Sequence, residues 1–165
     1  MTRISRPGFI PPQLPSLTDQ PPEGADWIHE IKHDGYRTML TVERGTARAY
    51  TRNGHDWSDR YAGIIASARK PPCRSAILDG EVIVQDARGV SDFEALQAAL
   101  RSQPAQLIFY AFDLLHLDGK DLREKPLIER RTKLKRLIEQ DPDNRIQFSE
   151  EFIGDSAAFF HACAA

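Results

Sequence analysis

The residues best suited to chemistry lie close together near the N-terminus. A glutamate, a lysine, an aspartate and an arginine occur at Glu30, Lys32, Asp34 and Arg37. Alternating apolar and polar residues predict a strand over 27–33, and the Asp-Gly pair that follows predicts a turn into a second strand. Such a turn would leave room for a phosphate beside the Lys32 amine, with Arg37 facing the same ligand. The alternative is a plain hairpin whose basic side chains face water, and so short a motif alone favours it.

A pair of carboxylates interrupts an apolar stretch in the middle of the chain. Asp79, Gly80 and Glu81 lie inside a predicted strand, 76–85, whose other residues are mainly Ile, Leu and Val. Burying carboxylates without a partner is costly, so they need water, a cation or a hydrogen-bonded ligand. Gly80 would let another group approach the backbone closely. An edge strand with its charges facing outward is the alternative, but the apolar residues on both sides favour a ligand.

Two further motifs could contribute to a nucleotide or phosphate site. An Asn-Gly pair predicts a turn just after Arg52, and this arginine could bind a phosphate, although a lone loop arginine is more often solvated. The run 106–117 is the most strand-like in the chain, and a two-residue period places Tyr110 and Phe112 on one face. Aromatic side chains of this kind are most simply core residues; a flat ring lining a base pocket is the other possibility.

Both strands and helices are predicted to position these residues. Further strands are predicted at 37–43 and 46–51, joined by a tight turn at Arg44-Gly45, and at 145–149. Helices are predicted at 59–68, 91–101, 126–140 and 156–165. A Pro-rich lead-in over 7–24 is predicted to be extended. The pattern therefore predicts an α+β domain with mostly antiparallel sheets flanked by helices.

Three of the helices carry more specific expectations. The first has one apolar face, formed by Tyr61, Ile64, Ile65 and Ala68. The second has Ser91 followed three residues later by Glu94, which is the capping-box pattern. The helix over 126–140 is amphipathic, with predicted inward residues Leu127, Leu134, Leu137 and Ile138. Its predicted outward residues are Arg130, Arg131, Lys133, Lys135 and Arg136. A solvated face is the default for such a charge run, and contact with a phosphate backbone is the alternative.

Composition narrows the class of protein. The chain has 165 residues, of which 41% are hydrophobic and 28% charged, enough for one packed domain or a piece of a larger one. A net charge of -2 provides no global basic field, so nucleic-acid contact must come from a local patch. Cys73 and Cys163 belong to no metal-binding array, which predicts a reducing, cytosolic compartment. The sequence contains no membrane-length apolar run and no hydrophobic signal core near its start.

Four short motifs follow one another along the chain in a recognisable order. They are Lys32-His33-Asp34-Gly35-Tyr36-Arg37, Thr51-Arg52-Asn53-Gly54, Leu78-Asp79-Gly80-Glu81 and Phe109-Tyr110-Ala111-Phe112-Asp113. This series resembles the ATP-dependent DNA ligases, members of the covalent nucleotidyltransferases, and is most similar to the ligase domain of bacterial end-joining enzymes. The likeness runs from about Pro11 to the last residue and includes the lead-in Leu14-Pro15-Ser16-Leu17. It implies an α+β nucleotidyltransferase (ATP-grasp-like) adenylation fold.

The resemblance implies roles toward ATP for several residues. Lys32 would attack the α-phosphorus of ATP and form lysyl-AMP, and the amine must be neutral to do so. Glu30 and Ile31 would lie beside the adenine. Arg37 would contact the ribose or the nick, and Glu81 would receive a ribose hydroxyl.

Further roles follow from the same resemblance. Phe112 would stack on adenine, with Tyr110 as the alternative. Arg52 would hold the 5′-phosphate of the DNA. Asp34 would lie near the reacting 3′-hydroxyl or the metal, and Asp79 near the sugar or the metal. The implied cofactors are ATP and Mg²⁺ (or Mn²⁺), and the implied partner is nicked or broken double-stranded DNA, with no membrane.

The sequence also departs from the family pattern. It contains neither the Glu-Gly-x-Val-x-Lys segment, whose glutamate binds metal, nor the Lys-x-Lys segment that grips the α-phosphate. It is therefore expected to be the C-terminally truncated first portion of such a protein: a lead-in over 1–25 and a partial adenylation domain over 26–165, without the OB-fold domain. Weak ATP binding and slow or absent self-adenylation are expected, unless a further segment or a second polypeptide completes the site.

Two alternative functions remain open at this stage. A non-catalytic remnant, or a nucleic-acid-binding module that keeps the fold without turnover, would fit the missing segments. An RNA ligase or a capping enzyme uses the same Lys-x-Asp-Gly chemistry. The likeness of the lead-in and of Tyr110-Ala111-Phe112-Asp113-Leu114-Leu115 to DNA ligases disfavours this last pair.

Overall fold

The fold is α+β, as the pattern predicts. The structure is a computed structural model that describes residues 8–20, 22, 24, 26–139 and 144–152. Its strands are β1 (His29–Glu30), β2 (Tyr36–Glu43), β3 (Thr46–Thr51), β4 (Ser75–Ile83), β5 (Ile108–Leu117), β6 (Lys120–Asp121), β7 (Ile146–Phe148) and β8 (Glu151–Phe152). Its helices are α1 (Ala62–Ala68), α2 (Phe93–Ser102) and α3 (Leu127–Ile138), with a 3₁₀ turn at Pro104–Gln106. The helix predicted at 156–165 and Cys163 lie outside the described residues.

The chain forms two compact units, Met1–Pro12 with His33–Phe148, and Gln13–Lys32 with Ser149–Ala165. The larger unit contains one sheet in the order β3-β2-β4-β5-β6, with β7 parallel to β5 and every other pairing antiparallel. Strand β4 is central, since β2 and β5 pair with its two edges. The carboxylates in β4 are therefore not on an edge strand.

The predicted tight turns are confirmed. Arg44 and Gly45 have φ values of 48° and 77°, as a two-residue hairpin requires, and they join β2 to β3. The Asn-Gly turn follows β3, where the Gly54 N–H donates to the Thr51 carbonyl at 2.8 Å and Gly54 has a φ of 82°. The glycine of each pair identifies the turn, because few other residues adopt positive φ without strain.

A cluster of buried apolar residues lies on one face of this sheet, packed against helices. The predicted apolar face of α1 is confirmed, because Tyr61, Ile64, Ile65 and Ala68 are all buried. They pack in one cluster with residues of β2, β4, β5 and α3 such as Leu40, Leu78, Phe109 and Leu134. Helix α1 begins three residues later than predicted, after a run of turns. An apolar crevice of about 320 Å³, which includes open solvent, is lined by residues of α3, β2 and β4, among them Leu137, Leu40 and Leu78.

The strand around Lys32 differs from its prediction. Only His29 and Glu30 are in strand conformation, and β1 pairs antiparallel with β8, not with β2. The Asp-Gly pair therefore makes no hairpin. A Cβ on Gly35 would lie 2.2 Å from the Val82 carbonyl oxygen, so this glycine allows a close passage over β4. The prediction was wrong because a glycine needed for close approach looks like a glycine needed for a turn.

The start of α2 also differs from its prediction. The N-cap is Asp92, whose carboxylate accepts from the Ala95 N–H at 2.9 Å. Ser91 lies one residue earlier, and its hydroxyl oxygen accepts from the Asp34 N–H at 3.0 Å. Both residue types are good N-caps, so the sequence alone does not distinguish these neighbours.

Three predictions about which residues of α3 face inward were wrong. Leu134, Leu137 and Ile138 are buried as predicted, but Leu127, in the first turn, is 39% exposed. Arg131 is 1% exposed, although it was predicted to face outward. Arg130, also predicted outward, forms an ion pair in which its side chain is only 15% exposed. Arg131 lies four residues after Leu127 and three before Leu134, so helical spacing puts it on the inward stripe.

Membrane insertion has no support from the helices that the structure describes. None of them is long and apolar enough to cross a bilayer. Cys73 is a half-buried free thiol.

Candidate functional site

Three predicted site residues lie in one row across the central strands. Arg37 in β2 is directly opposite Glu81 in β4, and Glu81 is directly opposite Tyr110 in β5. Directly paired residues project from the same face of a sheet. Asp79, two residues before Glu81, projects from that face as well. The row therefore brings a guanidinium, two carboxylates and a phenol together on one face of the sheet.

Arg37 and Asp79 form a two-bond ion pair. Arg37 Nε donates to Asp79 Oδ1 at 2.7 Å, and Nη2 donates to Oδ2 at 2.8 Å. The Asp79 side chain is 7% exposed and that of Arg37 is 24% exposed. Bidentate pairing fixes the plane of the guanidinium as well as its position. The costly buried carboxylate predicted from the sequence is thus stabilised by a side chain of the neighbouring strand.

The charges around Arg37 also shift pKa values. Burial opposes the charge of Arg37, but the hydrogen bonds and charge of Asp79, with further help from Glu81 and Asp113, hold the pKa of the guanidinium above its ordinary value. Burial raises the pKa of the Asp79 carboxyl, and the bonds from Arg37 oppose that rise. The geometry of two short, aligned bonds is that of an ionised pair, so both groups are charged at neutral pH.

Phe112 lies beside this pair at an irregularity in β5. Asp79 and Gly80 are consecutive in β4, yet their partners in β5 are Asp113 and Ala111. Phe112 is therefore the extra residue of a β-bulge. The Arg37 guanidinium carbon lies 4.4 Å from the centroid of the Phe112 ring, a cation–π contact.

Tyr110, the alternative stacking residue, has other partners. Its ring stacks on His33, with centroids 4.3 Å apart and an interplanar angle of 29°. Its hydroxyl oxygen accepts from Gln85 Nε2 at 2.9 Å. Burial lowers the pKa of His33, which favours the neutral imidazole. One face of Tyr110 is thus covered by the residue that directly follows Lys32 in the chain.

Three residues near Phe112 were not predicted to belong to a site. Asp113 forms a two-bond pair with Arg130, with both distances 2.8 Å. Arg131 Nη1 donates to the carbonyl oxygen of Phe112 at 3.0 Å. The sequence did indicate these residues, since Asp113 ends the aromatic motif and Arg131 falls on the inward stripe of its helix. They were missed because the basic residues of α3 were assigned to solvent.

The remaining nucleotide-site candidates belong to the smaller unit. Glu30 is in β1, directly opposite Glu151 of β8. Ile31 is 54% exposed, and Lys32 is exposed as well. These three residues therefore have accessible or partly accessible side chains on a short segment that ends at His33.

Arg52 and Asp34, also predicted site residues, belong to the larger unit. Arg52 is exposed in the turn after β3. Asp34 is exposed, and its backbone N–H donates to Ser91. Gly80, predicted to permit a close approach, does so toward the neighbouring strand: a Cβ there would lie 2.4 Å from the Tyr110 carbonyl oxygen.

The described residues do not form a ready-made metal centre. In ranges 8–20, 22, 24, 26–139 and 144–152, no three His, Cys, Asp or Glu side chains are grouped so as to hold a metal ion. Mg²⁺ often binds through only one or two carboxylates and the phosphates of a ligand. Both carboxylate oxygens of Asp79 already accept from Arg37, so this arrangement does not suit Asp79 as a ligand. The metal roles of Asp34 and Asp79 stay predictions, and we assign no step to them.

The row has the chemical capacity to bind a nucleotide. The Glu81 carboxylate can accept hydrogen bonds from sugar hydroxyls, and the fixed guanidinium of Arg37 can donate to oxygens of a sugar or a phosphate. The Phe112 ring offers a surface on which a base can stack.

Comparison with known proteins agrees with this description. A family model described as "ATP dependent DNA ligase domain" matches residues 15–163. The multifunctional non-homologous end joining protein LigD of Pseudomonas aeruginosa is 41% identical over 150 residues, covering 90% of this chain and 18% of that protein. The SPbeta prophage-derived DNA ligase-like protein LigB of Bacillus subtilis is 30% identical over 155 residues, covering 93% of this chain and 56% of that protein.

Solved structures show the same fold. The ligase domain of LigD from M. tuberculosis superposes with a TM-score of 0.72 and 32% identity, covering 84% of this chain and 44% of that one. A mycobacterial DNA ligase D complexed with ATP and MES gives a TM-score of 0.69 at 29% identity, over 83% of this chain and 44% of that one. The chain thus spans less than half of these solved chains, and 18% of the Pseudomonas protein.

Proposed function

Because the chain belongs to the family of ATP-dependent DNA ligase domains, we propose that it binds ATP and that Lys32 accepts AMP from it. The family is one of enzymes, and the four motifs of the sequence would supply the residues for this chemistry. We further propose that the AMP is passed to the 5′-phosphate of nicked or broken double-stranded DNA. These are proposals for this chain, since it spans only part of its relatives.

The proposed reaction has three balanced steps. The neutral Nζ of Lys32 attacks the α-phosphorus; a P–N bond forms, the bond to the bridging oxygen breaks, and pyrophosphate and one proton leave. A DNA 5′-phosphate oxygen then attacks the same phosphorus, which breaks the P–N bond, and the departing nitrogen takes up one proton to return the amine. Finally, the 3′-hydroxyl oxygen attacks the activated 5′-phosphate, so the backbone bond forms, and AMP and the hydroxyl proton leave. Such transfers depend mainly on positioning and on charge neutralisation.

Residues of the row, together with Phe112 beside it, would hold the nucleotide. Glu81 would accept from a ribose hydroxyl, and Arg37, oriented by Asp79, would donate to the sugar or to the nick. Phe112 would stack on the adenine. A divalent cation, when bound, supplies charge neutralisation at the phosphates.

Three residues outside the row have proposed roles as well. Glu30 and Ile31, which precede the nucleophile on the same short segment, would lie beside the base. Arg52, exposed in its turn, would bind the DNA 5′-phosphate, since a guanidinium matches phosphate oxygens in charge and geometry.

One observation supports the nucleotide-binding proposal above the others. The Arg37 guanidinium is fixed by two bonds to buried Asp79 and at the same time lies on the Phe112 ring, with Glu81 directly opposite in the sheet. A charge pair placed only for stability would not require an aromatic ring and a second carboxylate on the same face. This arrangement joins a hydrogen-bonding surface for a sugar to a stacking surface for a base.

Incubation with α-labelled ATP and Mg²⁺, followed by a denaturing gel, tests the proposal. We expect slow covalent labelling that disappears in Lys32→Ala and persists in Lys120→Ala, whose lysine is exposed on β6. Adding nicked duplex DNA to the washed, labelled protein should move the label to the DNA. Label of equal strength in Lys32→Ala would contradict the proposed nucleophile.

A further inference from the structure

The outer edge of β5 has a short segment without a partner strand among the described residues. Strand β7 pairs with β5 only as far as Ala111, and β6 begins to pair at His116. On the inner edge, Phe112 is the extra residue of the bulge between Ala111 and Asp113. Phe112 therefore has no directly paired residue in β4, β6 or β7.

Arg131 contacts the backbone of this segment. Its Nη1 donates to the Phe112 carbonyl oxygen at 3.0 Å, and its guanidinium lies 4.6 Å from the centroid of the Phe148 ring. The residue is 1% exposed. A buried guanidinium is costly unless its donors find partners. Its contacts with Phe112 and Phe148 therefore connect α3 to the bulge in one defined arrangement.

Arg130 contacts the next residue of the same segment. Its Nε and Nη2 donate to the two carboxylate oxygens of Asp113, both at 2.8 Å, with side chains 15% and 16% exposed. Asp113 Oδ1 also accepts from the Leu114 N–H at 2.8 Å. A planar, bidentate bond of this type resists rotation as well as separation. Two consecutive arginines thus hold the carbonyl of Phe112 and the side chain of its neighbour.

We propose that Arg130 and Arg131 are positioning residues that fix the Phe112 ring for adenine stacking, an inference that rests on the proposed function. The orientation of a side chain depends on its backbone, so holding the bulge sets the direction of the ring. The arginines need not contact the nucleotide.

Equilibrium binding tests this inference without requiring catalysis. Isothermal titration calorimetry would compare ATP with inorganic tripolyphosphate, which carries the phosphates but has no base. The variants are Arg131→Met, Arg130→Gln, Phe112→Ala and the double variant Arg131→Met/Phe112→Ala. Arg136→Met, at an exposed position of α3, is the matched control. Circular dichroism would confirm that each variant is folded, and Arg130→Lys and Arg131→Lys replace any variant that is not.

A positioning role predicts a loss that is selective for the base. Phe112→Ala should weaken ATP binding by about 5-fold or more, as expected for one lost stacking partner. Arg131→Met and Arg130→Gln should weaken it by about 3-fold or more, with tripolyphosphate unaffected. The double variant should bind ATP no more weakly than Phe112→Ala alone, because Arg131 acts through that ring. The lysine variants should recover part of the lost affinity.

Other outcomes would overturn the inference in distinguishable ways. Equal losses toward ATP and tripolyphosphate, or additive losses in the double variant, would mean that the arginines only stabilise the fold. Unchanged ATP binding in folded arginine variants would exclude a positioning role. If the parent chain bound ATP no more tightly than tripolyphosphate, the proposed function itself would fail, and this inference with it.

Discussion

Arg37 and Asp79 are diagonal neighbours on paired strands, joined by bonds of 2.7 and 2.8 Å. Glu81, not Asp79, is the residue directly opposite Arg37, so the guanidinium reaches along the sheet to its partner. This direction brings it onto the Phe112 ring. The ion pair therefore determines where the proposed nucleotide site presents its positive charge.

Replacing Asp79 by Asn should weaken both the fold and the site. Arg37 would lose a charge-assisted bond, and we expect unfolding in urea to show a loss of about 1–2 kcal/mol. ATP affinity should fall as well, because Arg37 is no longer oriented. Arg48→Ala breaks the exposed pair with Asp56, whose side chains are 59% and 39% exposed. It should cost about 0.5 kcal/mol or less. Equal effects of the two substitutions would contradict a special role for Asp79.

Replacing Gly80 by Ala should destabilise the sheet at the site. The added Cβ would lie 2.4 Å from the Tyr110 carbonyl oxygen and 2.5 Å from Phe109 Cζ, so β4 and β5 would have to separate. We expect a loss of about 2–3 kcal/mol in the free energy of unfolding. Gly63→Ala in α1 is the control, since nothing lies within 4 Å of its added Cβ. It should be neutral or stabilising by up to about 1 kcal/mol. A tolerated Gly80→Ala would show that the two strands are not in this close contact.

Stability should decrease in mildly acidic solution because of His116. This residue is 1% exposed, and burial lowers its pKa, although Asp121 and Asp118 oppose the shift. The unfolded chain therefore takes up a proton at a higher pH than the folded chain does. Stability should fall as the pH drops below about 6.5, until the folded imidazole is protonated as well.

Urea unfolding across this pH range measures the effect. His116→Gln should reduce the decline, and His55→Gln, at an exposed position, should leave it unchanged. The decline should not vanish entirely, because burial lowers the pKa of His33 in the same direction. An identical pH dependence in His116→Gln and in the parent would rule out this source.

Substitutions at two neighbouring residues test which of them caps α2. Asp92→Ala should cost about 1 kcal/mol, since it removes the acceptor for the Ala95 N–H. Ser91→Ala should cost less, because its hydroxyl accepts in an exposed bond from Asp34. Thermal unfolding of the two variants measures the order, and the reverse order would restore the capping-box interpretation.

The sequence predicted those parts of the fold that depend on local chemistry. Strand β3 and its two flanking turns occur where predicted, because Gly45 and Gly54 permit the positive φ values that the turns need. The carboxylates in β4 were predicted to need water, a cation or a ligand, but the partner of Asp79 is a protein side chain, Arg37 of the neighbouring strand. Arg37 was itself a predicted site residue, although its bonds to Asp79 were not predicted.

Contacts between distant segments were not predictable in the same way. The partner of β1 is β8, about 120 residues away, and no periodicity near Lys32 indicates it. Arg131 was assigned to solvent because arginine is rarely buried. Its burial depends on a carbonyl that a bulge in β5 leaves available. A bulge has no clear signature in an aromatic run, so the contacts of Arg130 and Arg131 at Phe112 could not be predicted from the sequence.

Locating the adenylated residue tests the central claim most directly. The parent chain would be incubated with α-labelled ATP and Mg²⁺, digested, and its labelled peptide sequenced by mass spectrometry. We predict AMP on Lys32 alone, in an acid-labile phosphoramidate, with no labelled peptide from Lys32→Ala. AMP on any other residue, or a labelled peptide that survives Lys32→Ala, would contradict the assignment of Lys32 as the nucleophile.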